Sequence, residues 1–96
     1  MQFITPNQIH ISQKGKYVRF PKTMYLTDWN TKELKTVVIE AGSIGLLNTL
    51  IEGNSKLLIA LNKDKKTAPS RTSATTFGYI LVKIGIGDIE KIQMEA

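Results

Sequence analysis

Short runs in which apolar and polar residues alternate, each closed by glycine, proline or a small polar residue, constrain this chain more than any other feature. A residue pattern of period two is what a half-buried strand requires, because successive side chains leave opposite faces. In Tyr17-Val18-Arg19-Phe20, Val18 and Phe20 share one side, and Tyr17 and Arg19 the other. From Phe77 to Ile84, the residues Ile80, Val82 and Ile84 point inward, with Phe77, Tyr79, Leu81 and Lys83 opposite. Gln8 to Ser12 sets Ile9 and Ile11 against His10, and Lys14-Gly15 offers the tight turn that would make a hairpin with Tyr17 to Phe20. Leu34 to Ala41 is centred on the β-branched run Thr36-Val37-Val38-Ile39. Lys56 to Leu61 is nearly all apolar, as a strand covered on both faces would be, and Ile89 to Met94 forms the last strand. Asp28-Trp29-Asn30-Thr31 and Gly85-Ile86-Gly87-Asp88 read as turns, while Met24 to Thr27 fits a strand or a single helical turn.

One stretch departs from this period. After Gly42, the residues Ile44, Leu47, Leu50 and Ile51 fall at helical spacing, Ser43 can cap and Gly53 can stop. This predicts a short helix over residues 43–52, weakened by about 1 kcal/mol at Gly45 relative to alanine. Residues 62–75 are polar, carry Pro69 and show no apolar period, so they read as a long, exposed basic loop. The expected fold is α+β but mainly β. It would be a small OB-like Greek-key barrel, or a curled antiparallel sheet of 5–6 strands, with one short helix. All 96 residues form a single domain with one core.

Charge is distributed unevenly. The net charge is +5, and residues 1–27 contribute Lys14, Lys16, Arg19 and Lys22 with no acid. Residues 63–71 contribute Lys63, Lys65, Lys66 and Arg71 against Asp64 alone. In OB-like barrels, the loop between strands one and two and the loop between strands four and five commonly hold oligonucleotides, together with the face of strands two and three. Both basic segments coincide with those loops. Tyr17 beside Arg19, and Tyr79 with Phe77 beside Lys83, add outward rings on which unpaired bases can stack. The candidate nucleic-acid-binding residues are therefore Lys14, Lys16, Tyr17, Arg19, Lys22, Lys63, Lys65, Lys66, Arg71, Tyr79 and Lys83. Stacking favours single-stranded DNA or RNA over duplex.

Chemistry is poorly supplied. One histidine and no cysteine cannot build a nitrogen or sulfur metal cage within one chain. A carboxylate site for magnesium needs acids brought together; Asp88 and Glu90 lie two apart and could share a strand face, but Asp88 better completes the Gly85-Ile86-Gly87 turn. The serines and threonines of 67–76 have no histidine near them in sequence to serve as a base. Gly85-Ile86-Gly87 lacks the third glycine of a dinucleotide fingerprint, having Glu90 there. The chain is expected to be neither an enzyme nor a cofactor carrier. MQFITPNQ lacks the charge and apolar run of a signal peptide, and no apolar run is long enough to span a bilayer, so a cytoplasmic, membrane-free setting is expected.

Residues 11–22, ISQKGKYVRFPK, resemble the opening of the swapped-hairpin transcription factors of the AbrB type. There a strand, Lys-Gly, a second strand and Pro-Lys precede a short helix, and Ser12, Lys14, Gly15, Pro21 and Lys22 match. Lys35 to Glu40 lies where that family's closing strand would. The resemblance implies a DNA-binding homodimer with Lys14, Lys16 and Arg19 near phosphate. A further alternative is a small adaptor or accessory subunit that docks on a larger protein through Met24, Trp29, Phe77 and Leu81.

Overall fold

The alternating runs become strands. The computed structural model describes residues 2–7, 14–53, 55–71 and 79–96. Among them are β1 (Phe3–Ile4), β2 (Tyr17–Arg19), β3 (Met24–Thr27), β4 (Thr36–Ile39), β5 (Ile44–Ile51), β6 (Lys56–Leu61), β7 (Ile80–Gly85) and β8 (Gln93–Glu95). A 3₁₀ segment, Ile86–Lys91, precedes β8. Six strands form one antiparallel sheet in the order β1-β8-β2-β5-β6-β7, and β3 pairs with β4 as a separate hairpin. The chain is thus mainly β with little helix. The strand expected over Gln8 to Ser12, with His10, lies outside the described residues, and so does Phe77. No helix among the described residues is long and apolar enough to cross a membrane.

The hairpin and the sheet are parts of one bent ribbon. The register Tyr17↔Leu46, Val18↔Gly45, Arg19↔Ile44 continues without slippage as Met24↔Ile39 and Thr27↔Thr36. The Phe20 N–H donates to the Ser43 carbonyl at 3.0 Å on the near side of the gap between the two ladders, and beyond the second ladder the Asp28 N–H donates to the Lys35 carbonyl at 2.8 Å. The ribbon bends where Pro21 cannot donate and where Gly42 takes a φ of +90°, a conformation open to glycine without steric cost. The bend folds the β3–β4 half over the sheet, and Met24, Leu26, Val37 and Ile39 pack on the core built from Val18, Phe20, Leu47, Leu57, Ile59 and Val82. The ribbon's tip reaches the outer edge of β7. The Trp29 N–H donates to the Leu81 carbonyl at 2.8 Å, and the buried Asp28 accepts the Leu81 N–H at 3.1 Å. β3 and β7 share no strand ladder.

The helix expected over 43–52 is instead the longest strand, and its misleading period has a local cause. Pairing with β6 shifts between Leu47 and Thr49, so Asn48 forms a bulge. The extra residue moves the next core-facing side chain from position 49 to Leu50, which mimics helical spacing. Ser43 caps no helix: it is buried and its hydroxyl donates to the Glu40 carbonyl at 2.6 Å. Gly45 is required by close packing, because a Cβ there would sit 2.6 Å from Ile59 Cγ2 and 3.0 Å from the Ala60 carbonyl.

Two further differences follow the same logic. The segment expected as a turn and a strand from Gly85 to Met94 is a 3₁₀ turn followed by β8. The 3₁₀ segment is kinked at Asp88, and its Ile86 and Ile89 pack on the core beside Ile92, which follows it in extended backbone. Met24–Thr27 is a strand, not the short helix that follows Pro-Lys in the swapped-hairpin pattern.

Candidate nucleic-acid interface

Tyr17 and Arg19 leave β2 on the face opposite the core, as their alternation requires. β8 is the neighbour on one side, with Val18 opposite Met94 and Arg19 opposite Gln93. Gln93 and Glu95 therefore rise beside Arg19 and Tyr17. The Arg19 Nε donates to Gln93 Oε1 at 2.8 Å, and its guanidinium carbon lies 4.6 Å from the centre of the Phe3 ring. The Tyr17 N–H donates to Glu95 Oε1 at 3.2 Å.

The basic segment after β6 comes back to this place. Tyr17, Leu46, Ala60 and Leu81 form a cross-strand row on the outer face, and the last three are buried although they face away from the core. Pro69 is buried as well, and its carbonyl accepts the Tyr17 hydroxyl at 2.8 Å across 52 positions of sequence. Two residues on, the Arg71 guanidinium stacks 4.4 Å from the centre of the Tyr17 ring and donates to both carboxylate oxygens of Glu95. Lys16 closes the cluster, its ammonium 3.4 Å from the Glu95 carbonyl. Lys14 stands exposed in the preceding turn. That turn hangs on β5, because the Gly15 N–H donates to the Leu47 carbonyl and the Leu47 N–H to the Lys16 carbonyl.

Glu95 is the electrostatic pivot. The Arg71 hydrogen bond, opposed by some desolvation and aided by the Tyr17 N–H and nearby charge, holds its carboxyl below the usual 4.5. Glu95 in turn raises Arg71 further above its ordinary range. A carboxylate with a depressed folded pKa stabilises the fold above its unfolded value, and that contribution is lost as the pH falls through the folded value. Acid therefore releases Arg71.

The other predicted residues lie apart from this cluster. Lys65 donates to the Val38 carbonyl at 2.9 Å, on β4. Lys63 and Lys66 are exposed on the same 62–67 turn. Lys22 borders a groove of ≈ 640 Å³ shared with Met24, Tyr25, Glu90 and Lys91. Lys83 lies 3.9 Å from the centre of the Trp29 ring and pairs with Glu52 at 3.1 Å, so its aromatic partner is Trp29 rather than Tyr79. The Tyr79 carbonyl accepts from the Asn30 side chain at 2.8 Å. Leu81, read as a docking contact, is buried.

Sequence reasoning missed Glu95, Gln93 and Phe3. Alternation about Met94 carries the signal that Gln93 and Glu95 face outward, but nothing local shows that β8 inserts beside β2, 78 positions away. No family model, curated protein or solved structure matches the chain.

Proposed function

We propose that this chain is a non-catalytic nucleic-acid-binding module that favours single-stranded DNA or RNA over duplex. The observation that supports it is the Arg71–Tyr17 stack, in which cations from two distant basic segments meet on a ring beside Lys16. The Arg71 side chain remains 46% exposed, so its free planar face can take an unpaired base while Lys14 and Lys16 meet phosphate. Binding of labelled oligonucleotides across a salt series tests the reading. Two phosphate contacts give a logarithmic salt slope of about −1.4 on single strands. Glu95→Gln, which frees Arg71 from its carboxylate, strengthens binding and steepens that slope by about 0.7. No binding at low salt ends the proposal.

A second reading, a small adaptor that docks on a larger protein, is favoured by a separate observation. Among the described residues, the exposed large apolar side chains Tyr25, Trp29, Leu34 and Val38 all lie on the β3–β4 hairpin or its turn. A stoichiometric partner retained after nuclease treatment, and lost with Tyr25→Ser, supports it. Retention that depends on nucleic acid supports the first reading.

A further inference from the structure

Two guanidinium groups lie over the outer face of β2 and β8, and they are held in different ways. Arg71 spends its Nη2 on both oxygens of Glu95, so what it offers is a planar face. Arg19 keeps its fork. Gln93 accepts from its Nε at 2.8 Å, and the Phe3 ring covers one face at 4.6 Å. Among the described residues, its Nη1 and Nη2 meet no acceptor, and none of the ion pairs includes Arg19. Strand order builds this clamp: Gln93 stands opposite Arg19 on β8, and Phe3 on β1 stands opposite Glu95. A fork already fixed at one nitrogen and one face loses little freedom when it binds.

The same bond fixes Gln93. An arginine Nε can only donate, so the carboxamide must turn its oxygen to Arg19, which leaves the Nε2 hydrogens for another acceptor. Both side chains are half-buried. The polar groups they present beside the Tyr17 ring are therefore donors alone.

Order along β2 decides what those donors meet. Lys14 and Lys16 come before the Tyr17 ring, and Arg19 comes after it. A base stacked at the Arg71–Tyr17 pair, with its phosphate at the lysines, turns its sugar toward them and its far edge toward Arg19. On that edge guanine carries two acceptors, N7 and O6. Adenine carries an acceptor and a donor, thymine an acceptor beside a methyl group, and cytosine a donor. Paired donors match guanine. A phosphate at the same fork would instead stand near the Glu95 carboxylate, which shares the outer face of β8 with Gln93.

We infer that Arg19, held by Gln93 and Phe3, makes this site prefer guanine within a single strand. The inference rests on the nucleic-acid reading above and adds base specificity to it.

Fluorescence anisotropy of labelled thymidine strands, each with one central base replaced, tests it. A single guanine tightens binding about tenfold over thymine. The analogue 7-deazaguanine, which lacks the N7 acceptor, loses most of that gain, and adenine or cytosine shows none. Arg19→Lys keeps the charge without the fork. It binds the all-thymidine strand as the unaltered chain does, which also reports an intact fold, and it loses the guanine preference. Gln93→Leu, which releases Nε, weakens the preference several-fold with the salt slope unchanged. Equal affinity for all the bases overturns the inference. So does a guanine preference that survives Arg19→Lys. An Arg19→Gln chain whose salt slope falls by about 0.7, with no base preference to lose, assigns the fork to phosphate and overturns it as well. In each of these results the strands still bind, so the binding reading stands. Failure of every strand to bind at low salt ends both.

Discussion

The β5–β6–β7 sheet and the β3–β4 hairpin are made of similar residues, β-branched and aliphatic, yet they do different things with them. In the sheet both faces are largely covered. Leu57, Ile59 and Leu61 line the core, Ala60 and Leu81 are buried on the far side, and β6 has partners on both edges. In the hairpin one face packs inward through Leu26, Val37 and Ile39, while Tyr25 and Val38 stand in solvent and Lys65 reaches the Val38 carbonyl on β4. Burial on both sides makes the sheet the source of stability. The hairpin's outer face is left to solvent.

Four substitutions, ordered by expected effect, press on that contrast, each read from urea unfolding. Ile59→Ala removes a fully buried side chain between β5 and β7 and should cost about 3 kcal/mol. Gly45→Ala should cost about 2 kcal/mol through overpacking against Ile59 Cγ2. Because the two sites touch, the double variant should cost less than the sum, and strict additivity would break the assignment of Gly45 to close approach. Asp28→Ala strips the acceptor from the Leu81 and Asn30 N–H groups and should cost about 1.5 kcal/mol. A smaller loss would mean that the Trp29 N–H and the Asn30 side chain hold the ribbon tip without it. Tyr25→Ser should change stability by less than about 0.5 kcal/mol. A loss above about 2 kcal/mol would show that the hairpin's outer face is structural after all.

Much of the β structure was legible: β2 and β7 lie where alternation puts them, β4 where a β-branched run does, and β6 where a short all-apolar run does. β5 was not, since the bulge at Asn48 inserted a spacing of three between Leu47 and Leu50, and periodicity cannot distinguish that from a helix. The 3₁₀ turn escaped for the opposite reason: six residues with isoleucine every third position are too short to separate from an edge strand. At the candidate interface, the outward facing of Tyr17 and Arg19 could be read from their own neighbours. That Arg71 would arrive over the Tyr17 ring could be proposed only by analogy of architecture. Glu95 could not be found at all, because its importance depends on which strand inserts beside β2. Electrostatic partners chosen by strand order leave no local trace.

β8 lies between β1 and β2, bonding the first strand of the sheet to the second. During translation, neither early strand has this neighbour until Gln93–Glu95 have left the ribosome, and Arg71 waits just as long for its carboxylate. A nascent chain held at that stage presents a bare guanidinium and an open slot in the sheet. The final few residues synthesised in this stretch both fill the slot and quench the charge, so completion of the sheet and loss of that free cation are a single event.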